Sequence, residues 1–388
     1  MTASTTTRWP DFAGSLPMFF GAPHHALASS LEPLLAGFPF EDHDPASVVA
    51  RLASTRLFEL LVPSEHGGRA LVADAPSRVD VRALCLAREA LGYVSPLADS
   101  IFAVQGLGSH PLVLGASVEG RAALLADVVS GARIGGFALT EPEAGSDVAS
   151  MRAVARKEGQ TWSIDGEKIF ISNVGIAHQF VVFANADPSA GKKGISAFLV
   201  DAKAPGLELS QVPTSVDHPL GRLRMNACKA TQMIGEVGHG MRLALGTLDV
   251  FRTSVGAAAC GMARRALDET IARVKARSQF GKPLADFQLT QAALAEMATD
   301  LDAARLLVYR AAFVKDTGAR GAIEVAMAKM FATEAAQRII DRAVQLHGGL
   351  GVALGTVVER LYREVRPLRI YEGTTEIQKL IIGGALVS

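Results

Sequence analysis

This sequence has few cysteines, no long apolar runs and no excess of either charge. Only three cysteines, Cys85, Cys228 and Cys260, occur among its 388 residues, and they lie far apart. Their number and spacing exclude a disulfide-stapled fold and a paired-cysteine zinc site, and they fit a reducing compartment. The 39 basic and 39 acidic residues give a formal net charge of zero, so the basic excess typical of duplex nucleic-acid binders is missing.

The sequence also lacks the segments that place a protein in or across a membrane. No uncharged apolar run reaches the roughly 18 residues that a membrane-spanning helix needs. The first residues, MTASTTTRWPDFAG, contain no apolar signal-peptide core, and the final ALVS carries no lipidation motif. The sequence therefore predicts a cytoplasmic protein. Single histidines such as His24, His25 and His218 have no ligand spacing, so we expect no metal site.

What is present is the composition of a folded globular protein. Apolar residues make up 49% of the chain and charged residues 20%, which excludes a disordered chain. At roughly 150 residues per domain, a chain of this length holds two or three domains. Apolar residues at helical spacing, among them Leu27, Leu31 and Leu34, predict a helical domain over residues 1–130.

The pattern changes near Ile134 to short apolar runs that are separated by turn residues. We expect about six to eight strands, and therefore a barrel-like or sandwich β domain, over residues 131–237. Glu158-Gly159 and Asp165-Gly166 both stand between such runs. Asp-Gly between two strand-like segments predicts a hairpin turn.

Long helical patterns return over residues 238–388. Apolar residues from Leu243 to Val274 recur mostly at every third to fifth position, and two more helical stretches begin near Gln288 and Ala322. Long helices with short connections predict a four-helix bundle. The predicted fold class is therefore α+β and mostly α, with an N-terminal helical domain, a middle β domain and a C-terminal bundle.

Two polar motifs follow strands of the predicted β domain. Residues 137–147 read FALTEPEAGSD, and the hydroxyls of Thr140 and Ser146, together with loop N–H groups, could line a heterocycle or receive a phosphate. In FISN at 170–173 an aromatic residue beside a hydroxyl could face a flat cofactor. An ordinary strand exit and a core aromatic residue are the alternatives, and the residues alone leave both open.

Two further motifs stand at the ends of long helices. RSQFGKP at 277–283, with Gln288 downstream, is a polar turn in which the Arg277 guanidinium could pair with a pyrophosphate. The glycines of QLHGGLG at 345–351 would let the backbone approach a ligand closely. No strand precedes them, so they are not a Rossmann fingerprint. Helix capping and a simple helix stop remain alternatives.

One carboxylate stands out near the end of the chain. IYEGTTEIQ at 370–378 places Glu372 beside a glycine and before a terminal apolar helix. A general base needs such an accessible carboxylate with few competing charges. Thr374 is also a natural N-cap for that helix, and both interpretations can hold together. Asp249 and Arg252 are three residues apart on a long helix, a spacing typical of a surface ion pair.

In their order and spacing, these motifs together resemble the acyl-CoA dehydrogenase family over roughly residues 20–388. The resemblance is carried by FALTEPEAGSD, FISN, DVFRTSVGAAACGMARRALD at 249–268, RSQFGKPLADFQ at 277–288, QLHGGLG and IYEGTTEIQ. Members of this family have a helical domain, a β domain and a helical bundle, hold FAD non-covalently and are usually tetramers. The resemblance therefore implies FAD, a homotetramer or homodimer, and an electron-transfer flavoprotein as electron acceptor.

The resemblance also assigns roles to individual residues. Glu372 matches the catalytic base, and the positions that match substrate contacts are Ser146, Asp249, Arg252 and Gly373. The positions that match cofactor contacts are Phe137, Leu139, Thr140, Ser146, Phe170, Ser172, Arg277, Phe280, Gln288, Gln345, Gly348, Gly349, Thr374 and Glu376. Those in the turns at 277–288 and 345–349 would reach FAD that is bound mainly by a neighbouring subunit.

The reaction that the resemblance implies is α,β-dehydrogenation of an acyl thioester of coenzyme A or of a carrier protein. Glu372 would remove the α-proton, and its N–H and a flavin ribose hydroxyl would stabilise the enolate. Flavin N5 would accept the β-hydride, which gives a trans-2-enoyl thioester. The alternative is an oxygen-using flavin oxidase or hydroxylase on the same scaffold, and a third hypothesis is a non-catalytic binding protein. Glu372 within YEGT favours the dehydrogenase.

One segment departs from the family pattern. Residues 212–236, VPTSVDHPLGRLRMNACKATQMIGE, look shortened and lack a recognisable arginine, serine and threonine set. We therefore carry over no cofactor or thioester contact to this segment.

Overall fold

The structure is a computed structural model that describes residues 9–40, 44–71, 75–115 and 118–388. In chain order the α-helices of these residues are α1 (Ala22–Leu35), α2 (Pro45–Thr55), α3 (Val81–Val94), α4 (Pro96–Leu114), α5 (Arg121–Ser130), α6 (Gly240–Ala276), α7 (Gln288–Asp316), α8 (Ala322–His347), α9 (Val357–Val365) and α10 (Thr375–Val387). The strands are β1 (Gly135–Ala138), β2 (Val154–Glu158), β3 (Thr161–Ser172), β4 (Gln179–Asn185), β5 (Ile195–Asp201), β6 (Leu207–Gln211), β7 (Leu220–Ala230), β8 (Gln232–Ile234), β9 (Ser278–Gln279) and β10 (Lys282–Pro283).

The middle strands form one eight-stranded sheet, as the strand count from the sequence predicts. Its order is β6-β7-β3-β2-β4-β5-β8, and β1 pairs with β4 in parallel. β2 and β3 are an antiparallel pair joined after Glu158, which confirms the predicted turn there. The segment 212–236 that departs from the family pattern supplies β7 and β8, and β7 lies between β3 and β6.

The predicted hairpin turn at Asp165-Gly166 is wrong, because β3 runs through both residues. The pairing of β3 with β7 shifts register between Ile164 and Gly166, where the single residue Asp165 lies opposite Asn226 and Ala227. The bulge is therefore in β7, and the Asp-Gly step lies opposite it inside one long strand. Gly166 has a φ of 142°, and a Cβ atom there would lie 2.7 Å from the Cβ atom of Ala153. The glycine therefore serves close packing against Ala153 rather than chain reversal.

The described residues group into two compact units, which divide within α4 and α6. One unit contains residues 43–80 and 100–251, including the sheet. The sheet's core is apolar and almost fully buried, and its members include Ile164, Ile171, Phe180, Val182, Phe198, Val200, Leu223 and Met225. Burial of such side chains is the main stabilising term for the sheet.

The other unit contains residues 1–42, 81–99 and 252–388 and is almost entirely helical. In it, α3 and α6 approach at glycine contacts: a Cβ atom on Gly261 would lie 1.9 Å from the Glu89 oxygen. A Cβ atom on Gly92 would lie 2.5 Å from the Ala258 oxygen. Any larger residue would separate the two helices. This close approach brings polar side chains of α3 within hydrogen-bonding distance of α6.

The order of an N-terminal helical domain, a middle β domain and a C-terminal helical domain confirms the predicted fold class. The predicted boundaries after residues 130 and 237 stay predictions. Within the described ranges, no helix combines the length and the apolar character needed to cross a membrane.

Candidate active site

Glu372 lies in the short turn that leads into α10. Its φ is 53°, and Gly373 continues in the same left-handed region with a φ of 91°. Thr374 ends the turn as the N-cap of α10, because its side chain accepts a hydrogen bond from Ile377 N at 3.3 Å. The N-cap prediction is therefore confirmed. A non-glycine residue in this region stores backbone strain, which persists only where the surroundings hold it.

Three side chains hold the main-chain oxygens of this turn. Arg252 Nε donates to the Glu372 oxygen at 2.9 Å. Lys329 Nζ and Gln378 Nε2 donate to the Gly373 oxygen at 2.8 and 2.9 Å. Two of the three donors are charged, and such hydrogen bonds are the stronger class. The base candidate therefore has a fixed backbone.

The carboxyl group of Glu372 has fewer hydrogen-bond partners than its backbone: one of its oxygens has none among the described residues, whereas the main-chain oxygen accepts from Arg252. That unpartnered oxygen is Oε2, which is buried. Burial raises the pKa of Glu372, while Arg88, Arg252 and Lys329 act in the opposite direction. A carboxyl group with one buried, unpartnered oxygen and a raised pKa can accept a proton from a bound molecule.

Lys329 is a fully buried lysine on α8. Burial lowers the pKa of Lys329 to about 8, although Glu372 acts to raise it. The ammonium group thus remains charged at neutral pH and contributes both a hydrogen bond and a positive charge to the turn.

A second buried lysine organises the loop at residues 139–147 in the sheet-containing unit. Lys168 Nζ on β3 donates to the Leu139 oxygen at 3.1 Å and to Glu141 Oε1 at 2.7 Å. Glu141 in turn accepts hydrogen bonds from Arg152 N at 2.6 Å and Ala153 N at 3.0 Å. Next to the lysine, Ile169 N donates to the Thr140 oxygen at 3.0 Å. The loop after β1 is thereby fixed to β3.

The pair of Lys168 and Glu141 is almost completely buried. Burial lowers the pKa of Lys168 to about 8, and Glu141 opposes that shift. Removing one partner of such a pair leaves an uncompensated charge, which is strongly destabilising.

The predicted cofactor residues of this unit differ in their exposure. The ring of Phe137 lies 5.0 Å from that of Phe183, in edge contact, so its ring packs within the sheet as a core aromatic would. Leu139 is buried, and Thr140 and Ser172 are half-buried. Ser146 and Phe170 are exposed, with Phe170 at 56%. The Phe170 side chain is thus the aromatic surface that a flat ligand could cover.

Left-handed backbone recurs at the predicted site residues. Six non-glycine residues in the described chain have positive φ, and three of them are Phe170, Phe280 and Glu372. Such strain concentrates at functional sites more than elsewhere. The observation links three separately predicted motifs by one physical property.

The predicted cofactor residues of the helical unit, apart from the turn at Glu372, are all exposed. Arg277 leads into the two-stranded β9–β10 hairpin, where Phe280 is 93% exposed at a φ of 51°. Gln288, Gln345, Gly348 and Gly349 are exposed as well, as is Glu376 in the first turn of α10. A Cβ atom built at Gly348 or Gly349 would meet nothing within 4 Å. These turns present open backbone and polar side chains outward.

The structure brings some of the predicted residues together and leaves others apart. Glu372, Gly373 and Arg252 share one hydrogen-bonded cluster in the helical unit. Thr140 and the strand that carries Phe170 and Ser172 share another cluster in the sheet-containing unit. Asp249 is half-buried, one turn before Arg252 on α6. The individual ligand contacts predicted for these residues stay predictions.

Sequence reasoning missed the charged residues that support the site. Lys329 stands within the apolar helical segment AMAKMFA, Arg88 follows the apolar run ALCLA of α3, and Lys168 precedes the apolar run IFI of β3. A charge amid core positions is the signal that could have found them, since lysine and arginine are almost never fully buried without a partner. Their partners lie far away in sequence, so the pattern alone does not identify them.

Comparison with known proteins identifies the family of this chain. Residues 238–387 match the family model described as "Acyl-CoA dehydrogenase, C-terminal domain". Residues 136–228 match the one described as "Acyl-CoA dehydrogenase, middle domain". The chain belongs to the acyl-CoA dehydrogenase family. It is therefore an oxidoreductase that acts on a CH–CH bond.

Curated relatives of this family match along most of the chain. The human mitochondrial short-chain specific acyl-CoA dehydrogenase is 37% identical over 363 residues, which cover 92% of this chain and 86% of that protein. Subunit CarC of the caffeyl-CoA reductase-Etf complex of Acetobacterium woodii is 35% identical over 356 residues, which cover 88% and 90% of the two chains.

Solved structures are similar to this chain along nearly its whole length. Butyryl-CoA dehydrogenase of Megasphaera elsdenii has a TM-score of 0.87 and 31% identity, covering 95% of this chain and 99% of that one. An acyl-CoA dehydrogenase of Bacillus anthracis complexed with FAD has a TM-score of 0.85 and 28% identity, and the match covers 96% of this chain and 68% of that one. The prolyl acyl carrier protein oxidase AnaB has a TM-score of 0.84 and 25% identity, covering 95% and 99%.

Proposed function

We propose that this acyl-CoA dehydrogenase family member removes the α- and β-hydrogens of an acyl thioester to give the trans-2-enoyl thioester, with Glu372 as the base. One observation carries the proposal. Glu372 has a buried Oε2 atom with no partner among the described residues, on a strained turn held by Arg252 and Lys329. Buried polar atoms are usually hydrogen-bonded, so this unpartnered oxygen is available to a bound molecule.

FAD is the cofactor of the family, and this chain has residues that fit it. Phe170 offers an exposed aromatic face, and Thr140, Ser146 and Ser172 of the same unit offer hydroxyls. The exposed Arg277 and the open backbone at Gly348 and Gly349 suit a pyrophosphate and a close approach. We assign cofactor contacts to these residues and to Phe280, Gln288, Gln345, Thr374 and Glu376.

The proton at the substrate α-carbon is the one that the chain's own residues remove. Glu372 takes it on the carboxyl oxygens, and the raised pKa of Glu372 makes this carboxylate a stronger base than an exposed one. The Glu372 N–H would stabilise the developing enolate oxygen. The β-hydrogen leaves as hydride, for which FAD, when bound, supplies the acceptor. Arg252 keeps the turn in place while the carboxyl gains its proton.

The partners follow from the same proposal. A relative named as a subunit of an Etf complex supports an electron-transfer flavoprotein as acceptor. The acyl carrier is coenzyme A or a carrier protein. Similar solved structures include a butyryl-CoA dehydrogenase and a prolyl acyl carrier protein oxidase, which supports each of these two carriers. A homotetramer or homodimer is supported by exposed apolar side chains in the helical unit, among them Phe280, Leu289, Leu354 and Leu380. The cytoplasmic location stays a prediction.

The experiment that tests this function is an anaerobic titration of the purified flavoprotein with a panel of acyl-CoAs and acyl-carrier proteins. Loss of the visible flavin band with one thioester supports the dehydrogenase and indicates its substrate. Admission of air to the reduced protein separates the alternatives, since an oxidase or hydroxylase reoxidises rapidly. Failure of every thioester to bleach the band would contradict the proposal.

A further inference from the structure

A single carboxylate on α8 binds side chains from both sides of the turn that carries Glu372. Arg369, three residues before Glu372, donates from Nε to Glu334 Oε1 at 2.8 Å, and its Nη2 atom lies 2.8 Å from Glu334 Oε2. Thr375, three residues after Glu372, donates from Oγ1 to Glu334 Oε1 at 2.7 Å. The Glu334 carboxylate thus joins the two ends of residues 369–375, which we call the base segment.

The geometry of this contact is that of a strong and directional interaction. Two guanidinium nitrogens of Arg369 meet the two oxygens of Glu334, and such two-point pairs are stronger and more specific than neutral hydrogen bonds. The Arg369 and Glu334 side chains are only 30% and 26% exposed, and Thr375 is buried. Burial acts to raise the pKa of Glu334, but hydrogen bonds from Thr375 and Arg369 hold that pKa below its ordinary value. The carboxylate is therefore ionised at neutral pH.

The base segment needs contacts from outside because its backbone is strained. Glu372 has a φ of 53° and Gly373 a φ of 91°, and a non-glycine residue persists in that region only where its surroundings hold it. Lys329 and Gln378 donate to the Gly373 oxygen, so they hold the middle of the segment. Glu334 holds both ends. Lys329 and Glu334 belong to the same helix, so α8 fixes the segment at its middle and at its ends.

We propose that Glu334 is a positioning residue that closes the base segment and so keeps the Glu372 carboxyl within reach of the substrate α-carbon. The inference rests on the proposed function, in which Glu372 takes the α-proton. Glu334 acts through Arg369 and Thr375 rather than on the reacting atoms. A misplacement of about 1 Å can lower the rate of a reaction a hundredfold. A segment that is free at both ends would also visit more conformations, of which fewer are productive.

Two nearly isosteric substitutions open the segment in different ways. Glu334→Gln replaces one acceptor oxygen by an amide that cannot accept from a guanidinium, and Thr375→Val removes the hydroxyl that binds Glu334. In single-turnover mixing with the thioester that bleaches the wild-type flavin, Glu334→Gln should slow flavin reduction by roughly tenfold to a hundredfold. Thr375→Val should slow it by about tenfold, and Thr375→Ser should recover most of the rate. The thioester dissociation constant and the FAD content should stay close to those of the wild type.

The Glu372→Gln background separates positioning of the base from a general structural effect. If Glu334 acts through Glu372, adding Glu334→Gln to Glu372→Gln should cause no further loss of the residual rate. A general disturbance of the helical unit would lower both rates by the same factor. The matched control is Glu269→Gln on α6, which breaks an ion pair of similar exposure with 2.8 Å between Arg265 Nε and Glu269 Oε1. This control should keep the wild-type rate.

Amide hydrogen exchange tests the closure without reference to any reaction. In the FAD-loaded protein, peptides that cover residues 369–375 should exchange roughly tenfold faster in Glu334→Gln than in the wild type, because local opening no longer breaks the contact with α8. Thr375→Val should act in the same direction. Glu269→Gln should leave the exchange of these peptides unchanged.

Unchanged exchange of these peptides in Glu334→Gln and Thr375→Val, or equal fold-losses of rate in the wild-type and Glu372→Gln backgrounds, would overturn the inference. If Glu334→Gln does not fold, Thr375→Val and Thr375→Ser make the same comparison. Failure of the proposed function appears separately, as a wild-type flavin that no acyl thioester bleaches. The exchange measurement then still decides whether Glu334 closes the base segment.

Discussion

The Nζ atom of Lys329 lies 2.8 Å from the main-chain oxygen of Gly373 and donates a hydrogen bond to it. The lysine is fully buried on α8, so this contact fixes the turn that follows Glu372 from inside the helical unit. We expect Lys329→Met to lower kcat by roughly tenfold to a hundredfold, because a hydrogen bond from a charged donor contributes about 1.5–3 kcal/mol. Steady-state kinetics of the FAD-loaded enzyme measure this.

The matched control for that variant is Lys379→Met, which changes an exposed lysine on α10. It should retain wild-type kinetics and wild-type FAD content. Equal kcat values for Lys329→Met and the wild type would show that the lysine does not hold the base turn.

The buried pair of Lys168 and Glu141 yields a prediction for the loop at 139–147. Lys168→Met should lower the free energy of unfolding by about 3–5 kcal/mol, because it leaves Glu141 buried without its cation. The double variant Lys168→Met/Glu141→Gln should recover part of that loss. The apoprotein of Lys168→Met should also bind FAD more weakly, since Lys168 holds the Leu139 oxygen. Urea unfolding and flavin titration measure the two effects.

An exposed ion pair of the same sheet provides the comparison. Arg156 pairs with Asp165 at the surface, and Arg156→Met should change stability by less than about 1 kcal/mol. Similar losses from Lys168→Met and Arg156→Met would contradict the view that burial makes the first pair important.

His110 predicts how stability depends on pH in the acid range. Burial lowers the pKa of His110 to about 4. The His110 imidazole therefore binds a proton below about pH 6.5 in the unfolded chain, but only below about pH 4 in the native chain. Stability should fall as the pH falls through this window, by roughly 3 kcal/mol from this residue alone. His110→Leu should flatten the slope, whereas His239→Gln should not. Parallel slopes for His110→Leu and the wild type, in urea unfolding from pH 4 to 7, would refute the assignment.

The exposed turn after Arg277 yields a prediction for assembly. Phe280 has a left-handed backbone conformation, and its side chain is 93% exposed. An aromatic ring so exposed to water is unfavourable unless another surface covers it. We expect the wild type to sediment as a homotetramer or homodimer, and Phe280→Ser to weaken both assembly and FAD retention. Met18→Ser, at a residue that is 65% exposed, should alter neither. A wild-type monomer that holds a full complement of FAD would contradict the shared-site interpretation.

The large features of the fold could be predicted because they depend on local patterns. The long helices α6, α7 and α8 follow an apolar periodicity that the sequence shows directly, and the strands from Ile134 follow runs bounded by turn residues. Asp165-Gly166 was the exception. Asp-Gly favours a hairpin locally, but packing of Gly166 against Ala153 and pairing with β7 keep it inside a continuous strand, opposite a bulge in β7. Tertiary contacts here override a local turn preference.

The site was only half predictable for a related reason. Glu372 and its neighbours could be found because they form one contiguous motif. Arg88 could not, because Ser254 lies 166 residues away and only the approach of α3 to α6 brings the two together. The same holds for Lys329, whose acceptor lies 44 residues further along the chain. Long-range polar contacts depend on a fold that the motif itself does not encode.

The most direct test of the central claim is rapid mixing of Glu372→Gln with the acyl thioester that bleaches the wild-type flavin. Glutamine keeps the size and shape of the side chain but cannot take the α-proton. The variant should retain FAD and still bind the thioester, while flavin reduction slows by roughly 10²–10⁴-fold. A reduction rate close to that of the wild type would show that Glu372 is not the base.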